Sequence, residues 1–175
     1  MSILKTFYPD KICDSAYDID YEKLYEQGIR GIIYDIDNTL VMHGYPADDR
    51  AISLISKLKD IGFRILLLSN NKEARVKMFN DSVNVDYIYK ADKPSRKGYL
   101  KAMEIMGTDL SSTIFIGDQL FTDVWGAKRT GIRNILVKPI DKHEEIQIII
   151  KRRLEAIVLR SYNRQIVSER KYCKK

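Results

Sequence analysis

Five short apolar, β-branched runs recur along this chain with helix-patterned stretches between them: "GIRGIIYD", "FRILLLSN", "VDYIYKA", "TIFIGD" and "NILVKP". Such runs are too continuous for strands with one wet face, so they read as strands buried on both sides. Strand alternating with helix then points to a parallel sheet covered by helices on both faces. The expected fold class is α/β, a doubly wound and mainly parallel sheet.

The intervening stretches agree with this. After the first run, Ala51, Ile52, Ile55, Leu58 and Ile61 fall on one helical face, and Gly62 supplies a stop. "NKEARVKMFND" opens with asparagines able to cap and turns Val76 and Phe79 inward. "PSRKGYLKAMEIMG" sets Leu100, Met103 and Met106 at helical intervals before Gly107, and "FTDVWGAKRTG" ends on Gly131. A chain of 175 residues accommodates one such domain, whereas two would be cramped. The expected division is a lead-in over 1–28, a core over 29–140 and a C-terminal helix and tail over 141–175.

Bulk features exclude several classes. No apolar run reaches the roughly eighteen residues of a membrane span, and "MSILKTFYPDKICD" lacks the apolar core and cleavage site of a secretory signal. A cytoplasmic protein is expected. Cys13 and Cys173 lie near opposite ends with no Cys-x-x-Cys pair, so they read as reduced thiols without a zinc role. Residues 1–137 hold 19 basic and 19 acidic side chains, while 138–175 hold 11 and 5. The whole excess of +6 therefore sits in the tail, which points to an acidic partner for that segment alone.

The tetrapeptide Tyr-Asp-Ile-Asp occurs twice, ending at Asp20 and at Asp37. The first copy precedes "YEKLYEQG", where Asp18 or Asp20 can cap a short helix that Gly28 ends. The second copy stands where an apolar run stops, so Asp35 ends a buried strand and Asp37 lies just beyond. Ligands of open α/β sheets bind outside the carboxyl ends of the strands. Other strand ends deliver Ser69 and Asn70, then Lys93, then Asp118 and Asp123 from "GDQLFTD".

Together these side chains suit phosphoryl transfer through an aspartate nucleophile. One carboxylate attacks phosphorus, and a second, protonated at the outset, gives its proton to the departing alcohol and later takes one from water. Mg²⁺ prefers hard oxygens, which suits Asp35 and Asp118. Lysine and a hydroxyl neutralise and orient the transferring group. Singly, each residue has a plain alternative as a cap, a turn residue or a solvated charge. Their joint occurrence at consecutive strand ends favours catalysis. His43 and Tyr45 follow in the same loop and are set aside as bystanders.

"DIDNTL", "LLLSNN", "KP" and "GDQLFTD" resemble, in order and spacing, the four motifs of the haloacid dehalogenase (HAD) superfamily of Mg²⁺-dependent phosphatases. The resemblance implies Asp35 as nucleophile, Asp37 as general acid/base with its carbonyl on the metal, and Ser69 and Asn70 at the phosphate. It further implies Lys93 against nucleophile and phosphate, Asp118 as a metal ligand and Asp123 supporting the metal's water shell. An aspartate at position 37 favours phosphatase over the dehalogenase and phosphonatase branches.

Thirty-one residues separate Asp37 from Ser69 and 23 separate Ser69 from Lys93, room for one helix and one strand each. No cap domain fits, and an open site suits a large substrate or a subunit that completes the pocket. The longer segment "FYPDKICDSAYDIDYEKLYEQGIRGIIYDIDNTL" resembles the YqeG-type, subclass IIIA HAD phosphatases, which are similar to mitochondrial phosphatidylglycerophosphate phosphatases. That implies conversion of phosphatidylglycerophosphate to phosphatidylglycerol, with a soluble phosphate ester as the alternative substrate.

In the tail, Ile146, Ile149, Ile150, Leu154, Ile157 and Val158 form one apolar face, with Lys151, Arg152 and Arg160 elsewhere on the same helix. Two readings follow, a last helix packed on the sheet and a basic surface held at the inner face of an anionic membrane. A ribosome-associated or other nucleic-acid-binding role for the tail is the competing class. Only Tyr162 and Tyr172 are available there to stack on bases, which disfavours it.

Overall fold

A computed structural model describes residues 3–141 and 153–165. Six strands form one sheet in the order β1-β6-β5-β2-β3-β4. They are β1 (Lys11–Cys13), β2 (Gly31–Tyr34), β3 (Arg64–Leu68), β4 (Asp86–Ile88), β5 (Thr113–Gly117) and β6 (Arg133–Val137), and every neighbouring pair is parallel. Five coincide with the apolar runs. The sixth, β1, comes from the lead-in and pairs with β6 at the sheet edge. Its three residues are too few to show any periodicity, so the sequence carried no signal for it.

The helices are α1 (Tyr21–Glu26), α2 (Asp49–Ile61), α3 (Glu73–Val83), α4 (Arg96–Met106) and α5 (Trp125–Thr130). A further helix, α6, spans 153–165. Alternation along β2 sends Ile32 and Tyr34 to one face and Ile33 to the other. The first face packs against Leu54, Ile55 and Leu58 of α2 and Val76 and Phe79 of α3, and the second against Tyr99, Ala102 and Met103 of α4 and Ala127 of α5. No inserted domain interrupts the described residues: one helix and one strand fill each interval between motifs.

Local chemistry sets most boundaries. Asp48 accepts from Ala51 N–H at 2.8 Å to start α2, and Gly62 ends it at φ +106°. Asp20 accepts from Lys23 N–H at 3.0 Å to start α1, so the first Tyr-Asp-Ile-Asp is a capping sequence. Two helical expectations are corrected. Leu100 is turned outward because Tyr99, bonded to Thr122 O, occupies the inward position one residue before it. Helix α3 follows its N-cap residue Lys72 without a side-chain cap, because the neighbouring asparagines bond elsewhere, as described below.

Helix α6 also differs from expectation. Glu155, Val158, Leu159 and Tyr162 face the body, where Glu155 accepts from Leu120 N–H at 2.8 Å and Tyr162 meets the Tyr8 ring edge-on. Leu154 and Ile157 are more than half exposed. A satisfied carboxylate thus takes an inward place that hydrophobicity alone would have given to leucine. Residues 146, 149 and 150 of the expected apolar face and 151 and 152 of the basic side lie outside the described residues, as do Tyr172 and Cys173. Cys13 ends β1, its thiol pushed up chiefly by burial.

Candidate active site

The carboxyl ends of β2, β3 and β5 lie side by side and aim their following residues at one place. Asp35 continues β2 by one step, donating its N–H to Ile116 O of β5 at 3.0 Å. The chain then turns tightly, with Ile36 O accepting from Thr39 and Leu40 and with Asn38 left-handed at φ +62°. Asparagine tolerates that conformation better than most residues. The turn carries Asp37 off the sheet while keeping it next to Asp35.

The centre of the site is an ionic cluster almost sealed from solvent. Lys93 Nζ lies 2.6 Å from Asp35 Oδ1 and 2.8 Å from Asp123 Oδ1. The three side chains are 4%, 10% and 1% exposed, respectively. Asp118 is equally buried, and Asp35, Asp118 and Asp123 each offer an oxygen within 4.8 Å of the others. Thr39 Oγ1 reaches toward Asp35 Oδ2 at 3.5 Å and Asp118 Oδ1 at 3.4 Å. Gly117 makes room for this cluster, since a Cβ there would stand 2.5 Å from Asp123 Oδ2.

The electrostatics follow from that crowding. Burial pushes the Asp35 carboxyl up to about 7, with Lys93 pulling it down and Asp123 pushing it up. Burial alone would lower the Lys93 ammonium, but Asp123 and Asp35 outweigh it and leave it well above the ordinary lysine value. Asp35, Asp118 and Asp123 crowd beside the Lys93 ammonium among the described residues, and like charges held so close are costly where water is excluded. Three hard carboxylate oxygens this close fit a divalent cation, and such an ion would favour the ionised Asp35 that can attack phosphorus.

Asp37 stands outside that carboxylate group. Its Oδ1 accepts from Arg75 Nε at 3.1 Å, Arg75 Nη2 at 2.8 Å and Gly44 N–H at 2.8 Å. Its Oδ2 accepts from Asn71 Nδ2 at 2.7 Å. His43 Nδ1 lies 3.6 Å from Oδ1 with its ring largely in solvent.

Ser69 is buried at the end of β3, its Oγ accepting from Asn71 N–H at 3.1 Å. Asn70 braces the lysine loop: its Nδ2 donates to Lys93 O at 3.1 Å and its Oδ1 accepts from Lys93 N–H at 2.7 Å. The seven residues singled out from the sequence thus gather at one sheet edge. Sequence reasoning overlooked Thr39, Asn71 and Arg75. Arg75 stands in the first turn of α3 and Asn71 just before its N-cap, so no helical spacing links the two and no local pattern marked them.

Comparison with known proteins gives a consistent picture. A HAD-hydrolase-like family model matches residues 90–147. Over 162 residues the chain is 37% identical to the "Probable phosphatase YqeG" of Bacillus subtilis, covering 92% of this chain and 94% of that protein. It is 27% identical over 160 residues to phosphatidylglycerophosphate phosphatase 1 of Arabidopsis thaliana, covering 84% of this chain but 45% of that longer protein. Among solved structures, NagD of E. coli K-12 superposes with a TM-score of 0.54 at 14% identity, over 69% of this chain and 91% of that one. Full-length similarity to YqeG, a HAD-like sheet and the carboxylate-lined strand ends agree, and the chain belongs to the HAD-like phosphatases, in the group that includes YqeG.

Proposed function

We propose that this chain is a Mg²⁺-dependent phosphomonoesterase acting through an aspartyl-phosphate on Asp35, with phosphatidylglycerophosphate as its physiological substrate. The observation that carries the chemical reading is the buried ion pair between Lys93 and Asp35, with Asp118 and Asp123 alongside. Asp35 Oδ attacks phosphorus, the bond to the alcohol breaks, and Asp37 supplies the proton that the departing oxygen needs. Water then attacks the aspartyl-phosphate while Asp37 accepts its proton, returning both carboxyl groups to their starting forms. Lys93 and the Ser69 hydroxyl hold and neutralise the transferring group, and Asn70 keeps the lysine loop in place. Asp35, Asp118 and the Asp37 carbonyl, with Asp123 supporting them, would hold Mg²⁺, which when bound withdraws charge from the phosphate oxygens.

Three observations support a lipid substrate. Relatives named phosphatidylglycerophosphate phosphatases occur in Arabidopsis thaliana and, at 25% identity over 150 residues, in Chlamydomonas reinhardtii. A groove of about 800 Å³ runs between β1, β6 and α6, with Asp118 on its wall and Ile12, Leu136, Pro139 and Leu159 among its lining. The outward side of α6 carries exposed Arg153, Leu154, Ile157, Arg160 and Arg164. Apolar and cationic side chains mixed in this way suit an anionic lipid surface, where each basic residue contributes about 1 kcal/mol. No helix among the described residues is long and apolar enough to cross a membrane, so contact through α6 would be peripheral.

Purified protein assayed with Mg²⁺ against phosphatidylglycerophosphate in detergent and a panel of sugar and nucleotide phosphates tests both levels. Turnover of the lipid above the soluble esters is expected. Brisk turnover of a soluble ester with none of the lipid would reject the lipid while keeping the phosphatase. Equal hydrolysis of an aryl phosphate by wild type and Asp35→Asn would reject the nucleophile.

A further inference from the structure

The acid/base carboxyl of the proposed mechanism is gripped by a residue that no motif contains. Arg75 lies in the first turn of α3 and meets Asp37 with a two-pronged contact on Oδ1, from Nε at 3.1 Å and Nη2 at 2.8 Å. Both side chains are close to nine-tenths buried, at 13% and 12% exposure. The third guanidinium nitrogen, Nη1, is buried and meets no acceptor among the described residues. An arginine placed for its own satisfaction would use that donor, because a buried unpaired N–H is unfavourable. Its geometry is thus set by Asp37: two N–H groups of the planar guanidinium converge on Oδ1 and fix that oxygen, while Asn71 holds Oδ2, and together they set the carboxyl plane.

The donors are unequally shared between the two oxygens. Among the described residues, Oδ1 receives Arg75 twice and Gly44 N–H, whereas Oδ2 receives Asn71 alone. A proton added to Asp37 has no room on Oδ1 among three N–H groups, so it must sit on Oδ2.

We propose that Arg75 is a positioning residue for leaving-group protonation, acting through Asp37 by fixing which oxygen bears the proton and where it points. The inference rests on Asp37 being the acid/base group. In the first displacement the Asp35 Oδ–P bond forms and the P–O bond to the alcohol breaks. The electron pair left on the alcohol oxygen takes the proton of Asp37 Oδ2, and Asp37 becomes a carboxylate. Arg75, Asn71 and the Gly44 amide are donors suited to that product, which then receives the proton of the attacking water.

Leaving groups differ in how much they need this proton, and the difference makes the test. A nitrophenolate departs readily without protonation, whereas an alkoxide such as that of glycerol phosphate does not. kcat/KM covers the steps up to departure of the alcohol and is to be measured for both substrates, with Mg²⁺, in wild type, Arg75→Met, Arg75→Lys and Asp37→Asn. The ratio of the two kcat/KM values is independent of the folded fraction, so a poorly folding variant is still informative. Arg75→Met is expected to lower the alkyl-to-aryl ratio by about 10- to 100-fold, the scale on which misorienting a reacting group acts. Arg75→Lys, which keeps charge but not the fork, is expected to lie between. An unchanged ratio in both Arg75 variants, alongside a ratio lowered by about 10²-fold or more in Asp37→Asn, overturns the role of Arg75. A ratio unchanged in Asp37→Asn overturns the acid/base reading of Asp37 beneath it.

Discussion

Lys93 Nζ lies 2.8 Å from Asp123 Oδ1, and both side chains are all but closed to solvent. Asp123 comes from the wide π-helical turn Leu120–Val124 after β5, while Lys93 comes from the loop after β4, on the far side of the sheet order. The pair therefore ties two distant loops across the carboxyl edge. Removing one partner of such a buried pair leaves an uncompensated charge and costs about 3–5 kcal/mol. Lys93→Met is expected to lose stability on that scale in chemical denaturation, together with phosphatase activity. A variant as stable as wild type would show that the pair contributes nothing net.

Gly117 bears on the same pair from below. A methyl group there would stand 2.5 Å from Asp123 Oδ2 and closer than ordinary contact to Asp123 Cγ, so the carboxylate must move. Gly117→Ala is expected to cut kcat roughly 10- to 100-fold by displacing Asp123 from Lys93, with a smaller loss of stability. Steady-state kinetics beside a thermal melt would separate the two effects, and unchanged kcat would place Asp123 outside the chemistry.

The two copies of Tyr-Asp-Ile-Asp should respond differently. Asp20→Ala removes the cap on Lys23 N–H and is expected to lower stability by about 1 kcal/mol while leaving kcat within about twofold. Asp35→Asn is expected to keep a folded protein and abolish turnover. Circular dichroism and an aryl phosphate assay on both variants suffice to check this.

Alkaline pH should weaken the join between lead-in and core. Tyr17 donates to Leu40 O, in the loop after Asp37, at 2.6 Å. Burial pushes its hydroxyl up to about 12, with Asp48 adding to the rise and Arg50 opposing it. Burial raises Tyr21 and Tyr34 as well, and Tyr34 donates to Tyr21. A folded value above the unfolded one of about 10 means that the folded protein holds protons the unfolded chain releases. The contribution is full below pH of about 10 and is lost as pH rises toward the folded value. Denaturation midpoints should fall between pH 9 and pH 12, roughly, and fall less steeply in Tyr17→Phe.

How much of the site was legible depended on how far a signal travels along the chain. Asp35, Ser69 and Asp118 stand where apolar runs stop, and strand ends of a parallel sheet must meet at one edge, so local pattern sufficed to gather them. Asn71 and Arg75 reach Asp37 across 34 and 38 residues. No periodicity links residues so far apart, and an asparagine before a helix reads as a cap by every local rule. Asn70 and Asn71 broke that rule because Lys93 and Asp37, brought near by the sheet, offered them better partners.

Hydrophobic period and capping act within a few residues, so local pattern was enough to place the sheet's central strands, most helix boundaries and seven of the side chains at its carboxyl edge. Tertiary structure alone decided that β1 joins the edge, that α6 turns Glu155 inward and Leu154 and Ile157 outward, and that Arg75 grips Asp37. Each of those outcomes turns on which partners a closed fold presents to a polar group leaving water. That choice exists only once distant segments have been brought into contact.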